Sequence, residues 1–361
     1  MKIAQIAPLC ESVPPRFYGG TERVVSYLTE ELVRQGHEVT LFASADSITD
    51  ARLVSPCERS LRTLAECVDP LAYYAIMLDE VLSRSDEFDI LHFHIDHLHF
   101  PVIKNLGLPS VTTLHGRLDL PDLQSLYQHF CDMPLVSISR SQRNPLPFAN
   151  WVGNVYHGLP RTLHALSPHA GADRYVAFLG RFSPEKRPDR AIRIASSAGI
   201  RLRIAAKIDK ADRAYFHSEI EHLLSLPGVE YLGEINEQQK AKFLGNATAF
   251  LFPIDWPEPF GLAMIEAIAC GTPVIAYSCG SIPEVIEEGV TGFIVNSEKQ
   301  AVEAIRQCYD FDRRKCRAAF ERRFTADRMA ADYIQIYRKL AAPQTLPLLG
   351  PELETDSPLV P

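Results

Sequence analysis

The segment FPIDWPEPFGLAMIEAIACGTPVIA, residues 252–276, decides the fold and the site that the sequence predicts. Two of its carboxylates, Glu258 and Glu266, stand eight positions apart on either side of a Pro-Phe-Gly turn. The apolar run after the turn has helical composition, and it stops at Gly271, since glycine commonly ends a helix. A short apolar strand comes next. We therefore predict a strand, a loop that carries Glu258, a helix over about residues 261–270 and a second strand.

The start of this helix is suited to an anion. The first turn of a helix has unpaired backbone N–H groups and the positive end of the helix dipole, so Phe260, Gly261 and Leu262 could bind a diphosphate. Glu266 would lie roughly 7–8 Å from the helix start, which matches the reach from a diphosphate to the ribose of the same nucleotide. Glu258 would lie on the other side of the phosphates. A ligand made of sugar, diphosphate and nucleoside fits this arrangement.

The same segment resembles a known family. The pattern Glu-x7-Glu in this setting, followed by IPEVIEEGVTGFIV at residues 282–295, is similar to the donor-site segment of the family-4 retaining glycosyltransferases. The resemblance covers about residues 1–340. It implies an α/β protein with the GT-B fold, in which two Rossmann-like parallel-sheet domains face each other across a cleft. It also implies transfer of a hexose from a nucleotide-diphosphate sugar, with UDP-glucose favoured, to a glycan, a lipid or a small-molecule acceptor.

Composition bounds the class of protein. A chain of 361 residues is long enough for two domains, and its 46% apolar and 23% charged content is ordinary for a globular protein. The net charge of −8 argues against a nucleic-acid binder, although a local basic patch could make a peripheral contact with anionic lipid at the inner membrane face. The eight cysteines form no CxxC pair, and the chain starts with a predicted strand and not a signal peptide. No apolar run approaches the length of about 20 residues that a membrane-spanning helix needs. These features favour a cytoplasmic protein, and they do not indicate an oligomeric state.

Short strands alternate with helices in the first half, which predicts a parallel sheet covered on both faces. A helix is predicted over residues 22–35, with its apolar side chains on one face. In such a sheet, ligands bind beyond the carboxyl ends of the strands. The predicted strands are residues 2–7, 37–42, 89–94, 110–114, 135–139 and 154–156.

Two motifs in this half follow predicted strands. The pair Gly19-Gly20 precedes the helix, and glycines let a backbone approach a phosphate closely. His115 follows another strand and precedes a glycine. The resemblance implies that the glycines face the donor diphosphate and that His115 lies near the sugar and the reaction centre. Three acids in nearby loops are either acceptor contacts or solvated side chains: Asp96, Asp119 and Asp122.

The histidine-rich run LHFHIDHLHFP, residues 91–101, raises the alternative of a metal site. His92 and His94 would share one face of a strand, but the other two histidines follow in a predicted loop and no further ligand stands out. Strand-end histidines that line the cleft explain the run better. Residues 310–312 read Asp-Phe-Asp, like a metal-binding DxD motif, but they lie in a polar helical region. We therefore expect no metal and no other cofactor.

The second half repeats the alternation of strands and helices. Its first strand is followed by Arg181 and Lys186, which the resemblance makes the basic pair on the donor diphosphate, where cations neutralise the charge of a leaving phosphate. Lys207 is a candidate third cation, and Ile235 lies in the segment implied to contact the base. The sequence Cys279-Gly280-Ser281 keeps one glycine where many relatives have two. The predicted strands are residues 175–179, 202–206, 229–232, 248–252, 274–277 and 293–295.

The resemblance thus assigns catalytic roles to His115 and Glu258. We expect an acceptor-binding domain at residues 1–162 and a donor-binding domain at residues 163–322. A helix at residues 323–341 is expected to return to the first domain, and the Pro-rich residues 342–361 are expected to be disordered. The predicted donor-binding residues are Gly19, Gly20, Arg181, Lys186, Ile235, Phe260, Gly261, Leu262 and Glu266.

Two other functions remain as alternatives. The first is a non-catalytic nucleotide-sugar-binding sensor on the same fold. The intact set of His115, Arg181, Lys186, Glu258 and Glu266 argues against it, because a binder without activity usually loses some of these residues. The second is an NAD-dependent dehydrogenase, and the absence of GxGxxG after the first strand of either half argues against that.

Overall fold

Seven parallel strands form the first of two sheets in the computed structural model, which describes residues 1–16 and 19–342. They are β1 (Lys2–Ile6), β2 (Glu38–Phe42), β3 (Arg52–Val54), β4 (Ile90–Phe93), β5 (Ser110–Thr113), β6 (Leu135–Ser137) and β7 (Trp151–Asn154). Their order across the sheet is β3-β2-β1-β4-β5-β6-β7. The inner strands β4 and β5 are buried at every residue, as expected for parallel strands covered on both faces.

The second sheet has six parallel strands. They are β8 (Tyr175–Arg181), β9 (Arg201–Lys207), β10 (Val229–Tyr231), β11 (Ala249–Phe252), β12 (Val274–Tyr277) and β13 (Gly292–Val295), in the order β10-β9-β8-β11-β12-β13. The two parallel sheets confirm the predicted α/β fold class. In each sheet the strand order reverses beside the strand that comes first in the sequence, between β1 and β4 in one sheet and between β8 and β11 in the other. Crevices for ligands lie at the carboxyl ends of strands at such a reversal.

Helices connect the strands and cover both sheets. They are α1 (Gly20–Arg34), α2 (Pro70–Leu82), α3 (Phe100–Leu106), α4 (Pro121–His129), α5 (Pro188–Ala198), α6 (Arg213–Tyr215), α7 (Glu237–Gly245), α8 (Leu262–Ala269), α9 (Ile282–Val285), α10 (Glu298–Gln307), α11 (Arg313–Arg323) and α12 (Ala326–Ala341). Side chains of Asn236, Ser297 and Thr325 cap α7, α10 and α12 by accepting a backbone N–H of the first turn. Among the described residues, none of the helices combines the length and the apolar character needed to cross a bilayer.

The predicted elements agree closely with the observed ones, with two differences. The predicted helix over residues 261–270 is α8, and the strand after it has the predicted bounds. The strand predicted at residues 154–156 is wrong, because β7 lies earlier and contains Gly153, where a Cβ would come within 2.4 Å of Ile336 in α12. The short edge strand β3 was not predicted, since three residues carry no readable periodicity. The tail predicted to be disordered lies, except for Ala342, outside the described residues.

The last helix, α12, packs on α1, β4 and β5 of the first sheet. Tyr333 and Tyr337 are buried at 1% and 0% exposure, and their hydroxyls hydrogen-bond to side chains of the first sheet. Tyr337 accepts a hydrogen bond from Gln5 at 3.0 Å and bonds to His92 at 2.6 Å. Tyr333 bonds to Thr113 at 2.8 Å. Helix α12 is therefore fixed against the strands that lead into the cleft.

Candidate active site

A cavity of about 470 Å³ lies between the two halves, at the carboxyl ends of β1, β5, β8 and β11. Residues of both sheets line it. Every residue predicted to be catalytic or donor-binding is part of this lining: Gly19, Gly20, His115, Arg181, Lys186, Ile235, Glu258, Phe260, Gly261, Leu262 and Glu266. The fold therefore brings together side chains that are far apart in sequence, because each follows a strand whose carboxyl end faces the cleft.

Two helix N-termini face each other in this cavity. The N-cap residues of α1 and α8 are Gly19 and Gly261, and a glycine has no side chain to satisfy the first N–H groups of a helix. A Cβ added to Gly20 would lie 3.6 Å from Leu262, so the first residues of the two helices are close neighbours. Gly261 has φ +84°, and a Cβ there would come within 2.7 Å of Met264. This position therefore requires glycine, and the paired helix starts form a concentrated site for an anion.

Glu258 is held in the cavity by two hydrogen-bond donors. Its Oε2 accepts a very short hydrogen bond from Lys186 Nζ and a bond of 2.9 Å from Trp256 Nε1. The Lys186 ammonium also lies 5.5 Å from the ring centres of both Phe252 and Trp256. Lys186 and Glu258 are only 15% and 12% exposed, so a weakly screened ion pair fixes the orientation of this carboxylate.

The loop that carries Glu258 rests on the turn at residues 279–281. Gly280 has φ +56°, and a Cβ there would come within 2.4 Å of the Glu258 backbone nitrogen. Ser281 donates its backbone N–H to the Glu258 carbonyl at 3.0 Å and its hydroxyl to the Phe260 carbonyl at 2.9 Å. The glycine kept in this chain is thus the one that allows the turn to pack against the Glu258 backbone.

The remaining predicted cations also have acidic neighbours. Arg181 forms ion pairs with Glu185 at 2.8 Å and Asp212 at 3.0 Å. Lys207 lines the cavity, as expected for a third cation, and lies 3.6 Å from Asp209. An incoming diphosphate would therefore share these cations with carboxylates of the protein.

Glu266 lies in a buried ionic network on the opposite wall. Its Oε1 accepts a hydrogen bond of 2.6 Å from Lys240, which also reaches Glu237 at 3.2 Å. Glu237 in turn pairs at 2.6 Å with Arg23 of α1, across the cleft. Burial alone would raise the pKa of Glu266, but Lys240, with His164 and Arg23, lowers it below its ordinary value. Glu266 is therefore ionised and held in place at neutral pH.

This network contains a group that has metal-ligand geometry. His164, Glu237 and Glu266 each place a ligand atom within 4.8 Å of the others, the one such group found among the described residues. The two carboxylates already pair with Lys240 and Arg23, so a metal ion would have to displace both cations. The charge balance of these residues fits an ion-pair network better than a metal centre.

His115 extends into the cavity from the end of β5. Its Nε2 lies 2.8 Å from Nδ1 of His94, and its ring stacks on His157 with a centroid distance of 5.3 Å. Burial lowers the pKa of His115 to about 3. The imidazole is therefore neutral at physiological pH, and its ring plane is fixed by its two histidine neighbours.

The expectation that the strand-end histidines of the 91–101 run line the cleft is wrong. His92 and His94 are buried behind His115, where they bond to Tyr337, Thr113 and Gln5, while His115 and His157 are the histidines in the lining. The three loop acids considered as acceptor contacts do not belong to the described lining of the cavity: Asp96, Asp119 and Asp122. Asp119 forms an ion pair with Arg117 instead.

Sequence reasoning missed several residues of the cavity wall. Lys240 carried a signal, since it occupies the buried face of α7 together with Phe243 and Leu244, where an apolar residue is expected. Trp256 lies inside the key segment, but its bond to Glu258 follows from the loop conformation. The charged residues and the histidine of the lining that were also not predicted are Glu11, Glu22, Arg23, Arg62 and His157.

Two curated proteins illustrate the relatives of this chain. It is 28% identical over 169 residues to an uncharacterized 41.2 kDa protein in the cps region of Klebsiella pneumoniae, covering 45% of this chain and 46% of that protein. It is 31% identical over 131 residues to D-inositol 3-phosphate glycosyltransferase of Mycobacterium tuberculosis, covering 35% of this chain and 27% of that enzyme. The matches thus span less than half the length of these relatives.

Solved structures resemble the chain over nearly its whole length. AviGT4, a glycosyltransferase involved in avilamycin A biosynthesis, superimposes with a TM-score of 0.74 at 22% identity, over 95% of this chain and 98% of its own. HepE from Anabaena in complex with UDP and glucose superimposes with a TM-score of 0.72 at 17% identity, over 94% of this chain and 100% of its own. These similarities establish the GT-B fold.

Two adjoining family models cover most of the chain. The model for glycosyltransferase family 4 matches residues 18–177, and the model for glycosyl transferases group 1 matches residues 161–322. Together they cover every strand of the two sheets except β1, and every residue of the predicted donor site. The chain therefore belongs to the group 1, family 4 glycosyltransferases.

Proposed function

We propose that this protein is a retaining glycosyltransferase that moves a hexose from a nucleotide-diphosphate sugar, with UDP-glucose favoured, to a glycan, lipid or small-molecule acceptor. The observation that carries the proposal is the single cavity in which two uncapped helix starts, a set of cations and two anchored glutamates converge. Such a cavity matches a ligand with a diphosphate at its centre and hydroxyl-rich groups at both ends.

The proposed pose follows the wall of the cavity. The diphosphate lies at the start of α8, opposite Gly19 and Gly20, within reach of Arg181 and Lys186. Glu266 accepts hydrogen bonds from the ribose, and Ile235 contacts the base. Glu258 and His115 hold the sugar. In this arrangement residues 163–322 bind mainly the donor, residues 1–162 mainly the acceptor, and residues 323–341 join the second domain to the first.

The proposed chemistry depends on stabilising charge as the sugar–phosphate bond breaks. Negative charge grows on the leaving diphosphate, where Lys186, Arg181 and the helix N-termini oppose it. Positive charge grows on the sugar, where the anionic Glu258 lies. Because Lys186 sits between Glu258 and the phosphates, it can transfer part of its interaction from one to the other as the reaction proceeds. We assign no covalent nucleophile. The oxygen of the acceptor hydroxyl bonds to the anomeric carbon on the face from which the diphosphate leaves, and the proton of that hydroxyl passes to the departing phosphate oxygen.

The structural relatives support the choice of nucleotide. HepE was solved in complex with UDP, with UDP and glucose, and with UDP-glucose. The cavity of the present chain lies at the reversal of strand order in the second sheet. A UDP-sugar is therefore the first donor to test.

A panel of nucleotide sugars, incubated with the full chain alone and with crude lipid and glycan acceptors, tests the proposal. We expect release of nucleoside diphosphate with at least one donor, and faster release when an acceptor is present. A protein that binds a nucleotide sugar but never cleaves it would be the sensor, and reduction of NAD would indicate a dehydrogenase. Either result would overturn the proposed activity.

The same assay in excess EDTA tests the assignment of charge neutralisation to side chains and helix starts. We expect full activity, because Arg181, Lys186 and the starts of α1 and α8 supply the positive charge. Loss of activity with recovery on addition of Mg²⁺ or Mn²⁺ would contradict this assignment. It would direct attention to the group formed by His164, Glu237 and Glu266.

A further inference from the structure

A chain of buried hydrogen bonds leads from the last helix to the ring of His115. Gln5 Nε2 donates to the Tyr337 hydroxyl at 3.0 Å, and Gln5 Oε1 lies 2.9 Å from His94 Nε2. His94 Nδ1 then lies 2.8 Å from His115 Nε2. Gln5 and His94 are 0% and 3% exposed, so water does not replace these partners. The amide atoms of Gln5 and the ring nitrogens of His94 each have one partner in this chain, while the Tyr337 hydroxyl also bonds to His92 at 2.6 Å. The direction of the bonds from Gln5 to His115 can therefore be deduced.

The amide of Gln5 sets that direction. Its oxygen can only accept, so the proton in the bond to His94 is on His94 Nε2. Burial and the neighbouring His92, His115 and His157 hold the pKa of His94 far below its ordinary value, so the ring carries one proton and Nδ1 is bare. His94 Nδ1 must therefore accept from His115 Nε2–H.

The second histidine is fixed in the same way. His115 is neutral as well, since burial lowers its pKa to about 3, and its single proton is on Nε2. Its Nδ1 is then a lone pair, with no hydrogen-bond partner among residues 1–16 and 19–342. The His115 side chain is half-buried and lines the cavity. His115 therefore presents to the cavity, through Nδ1, a hydrogen-bond acceptor that cannot donate.

We propose that His94 is a positioning residue that, together with Gln5, locks His115 as the tautomer protonated on Nε2, so that His115 Nδ1 accepts a hydrogen bond from one hydroxyl of the donor sugar. This inference rests on the proposed function for the identity of the ligand. It predicts selectivity for a sugar with a hydroxyl at that point. A deoxy sugar leaves the lone pair unpaired, and a carboxylate in place of the hydroxyl-bearing carbon places two acceptors against each other.

The stacking of His157 on His115 adds a geometric constraint. The two rings are inclined by only 17°, so the plane of the His115 ring is held against His157. A rotation of 180° about the Cβ–Cγ bond would put Cε1 where Nε2 lies and would break the bond to His94. The proton on Nε2 is thus also unavailable to the substrate. His115 acts in this account by holding a hydroxyl and not by general acid or base chemistry.

The tautomer is measured directly by ¹⁵N–¹H correlation NMR of the full chain labelled at histidine, with His115→Gln used to assign the signal. We expect His115 to show a protonated Nε2 and an unprotonated Nδ1, unchanged from pH 6 to pH 8. Protonation on Nδ1, as a reversed Gln5 amide would produce, or titration within this range would overturn the inference. The result does not depend on whether the protein transfers a sugar.

Substitution of His94 tests its positioning role. His94→Leu removes the acceptor for His115 Nε2–H, whereas His94→Asn keeps an amide oxygen close to the position of Nδ1. We expect His94→Leu to lower kcat/KM for the preferred donor by about three- to tenfold, the range for one neutral hydrogen bond, and His94→Asn to restore most of it. Equal losses in both variants would contradict the proposal.

A comparable buried histidine serves as the control for stability. His99 bonds to Thr112 at 2.8 Å and stacks on Phe93, away from the cavity. His99→Asn should lower stability without changing donor preference, and His99 has no part in the proposed machinery. If it altered the preference as much as His94→Leu, a general loss of packing would explain both and the inference would fail.

Donor analogues of UDP-glucose that lack single hydroxyls, and UDP-glucuronate, test the selectivity. We expect one deoxy position to lose activity in the wild type and to lose no more in His115→Leu. If that position is carbon 6, we also expect the uronate, which differs from glucose only there, to be a poor donor in the wild type. If no hydroxyl shows this coupling to His115, the selectivity is overturned. Absence of turnover with every nucleotide sugar would overturn the proposed function instead, while the measured tautomer would stand.

Discussion

At the scale of single residues, the cavity is already close to charge balance. Lys186 pairs with Glu258, Lys240 with Glu266, and Arg181 with Glu185 and Asp212. Each pair holds a functional side chain in a defined position. Binding of a diphosphate would add negative charge where Lys186 and Arg181 lie. The favourable free energy of binding would therefore come from the charge-assisted hydrogen bonds that these cations make to phosphate.

Removal of either phosphate cation should weaken binding of a nucleoside diphosphate far more than binding of the nucleoside. Arg181→Ala and Lys186→Ala should each cost about 1.5–3 kcal/mol in the free energy of UDP binding, the range for a hydrogen bond to a charged group. Calorimetric titrations with UDP and uridine measure the difference. Arg193→Ala is the matched control, because its ion pairs with Asp189 and Glu298 lie outside the cavity lining. Equal losses for uridine and UDP would show that the substitutions act through the fold.

Lys240→Met should make UDP binding depend on pH. In the wild type the pKa of Glu266 is below its ordinary value, so the carboxylate stays charged from pH 8 to pH 5. Without Lys240, burial dominates and raises the pKa of Glu266, so UDP affinity should fall as the pH is lowered from 7 to 5. Titrations at several pH values test this, with Lys242→Met, an exposed lysine of the same helix, as the control. A variant whose affinity is the same at all these pH values would show that Lys240 does not hold Glu266.

The sequence predicted the residues of the site that belong to a contiguous motif or follow a strand. Glu258, Glu266 and the glycines of the helix starts are of this kind, and the fold places them as a parallel sheet requires. Arg23 and Lys240 were not predicted, because their roles depend on contacts between α1, α7 and α8. Long charged side chains on the buried face of a helix indicate such contacts, but the sequence does not name their partners.

At the scale of elements, strand and helix bounds were readable where periodicity and glycine or proline marked them. The predicted position of β7 was displaced because Gly153 weakens the sequence pattern of a strand. A glycine is present there because Ile336 of α12 approaches the backbone closely. The turn at residues 279–281 shows the same principle at the site. It supports the loop of Glu258, and this role is visible only in the packed structure.

Gly280→Ala should lower turnover while UDP binding is largely kept. The added Cβ would collide with the Glu258 backbone, and a displacement near 1 Å of a catalytic group can cost about a hundredfold in rate. Gly289→Ala is the matched control, because Gly289 also has positive φ, +70°, but no atom within 4 Å of the new Cβ. Both variants should lose about 1–2 kcal/mol of unfolding free energy from the left-handed backbone. Equal turnover in the two variants would contradict the supporting role of Gly280.

At the scale of the whole molecule, a cluster of neutral histidines lies under the cleft, between the first sheet and α12. Burial lowers the pKa of four of them: His92, His94, His115 and His157. It also lowers the pKa of His99, which stacks on Phe93 away from the cavity. The sequence displayed the histidines but not their state, because their burial depends on the last helix covering the strands. The parallel two-sheet fold was predictable from the alternation of elements, whereas the packing of its two halves around a common cavity was not.

The protein should lose stability as the pH falls below about 6.5. The unfolded chain then binds protons at histidines that the folded protein keeps neutral, so the free energy of unfolding falls by up to about 1.4 kcal/mol per pH unit for each such histidine. Above pH 6.5 both states are unprotonated at these residues, and stability should be flat. Urea unfolding from pH 8 to pH 5 measures the slope, which His99→Asn should reduce by one histidine. Constant stability over this range would show that the histidines are not buried in neutral form.

The central claim is that the donor lies along α8 with its ribose at Glu266 and its sugar at Glu258. Because ribose contacts exist equally in the ground and transition states, Glu266→Gln should weaken UDP binding. Because contacts to the sugar tighten as the sugar–phosphate bond breaks, Glu258→Gln should reduce turnover and leave UDP affinity nearly unchanged. Calorimetric titration of UDP into these two variants is the most direct measurement. A donor in the proposed direction gives weak UDP binding in Glu266→Gln and near-normal UDP binding in Glu258→Gln. The reverse result, with UDP binding lost in Glu258→Gln and kept in Glu266→Gln, would contradict it and place the donor in the opposite direction along the helix.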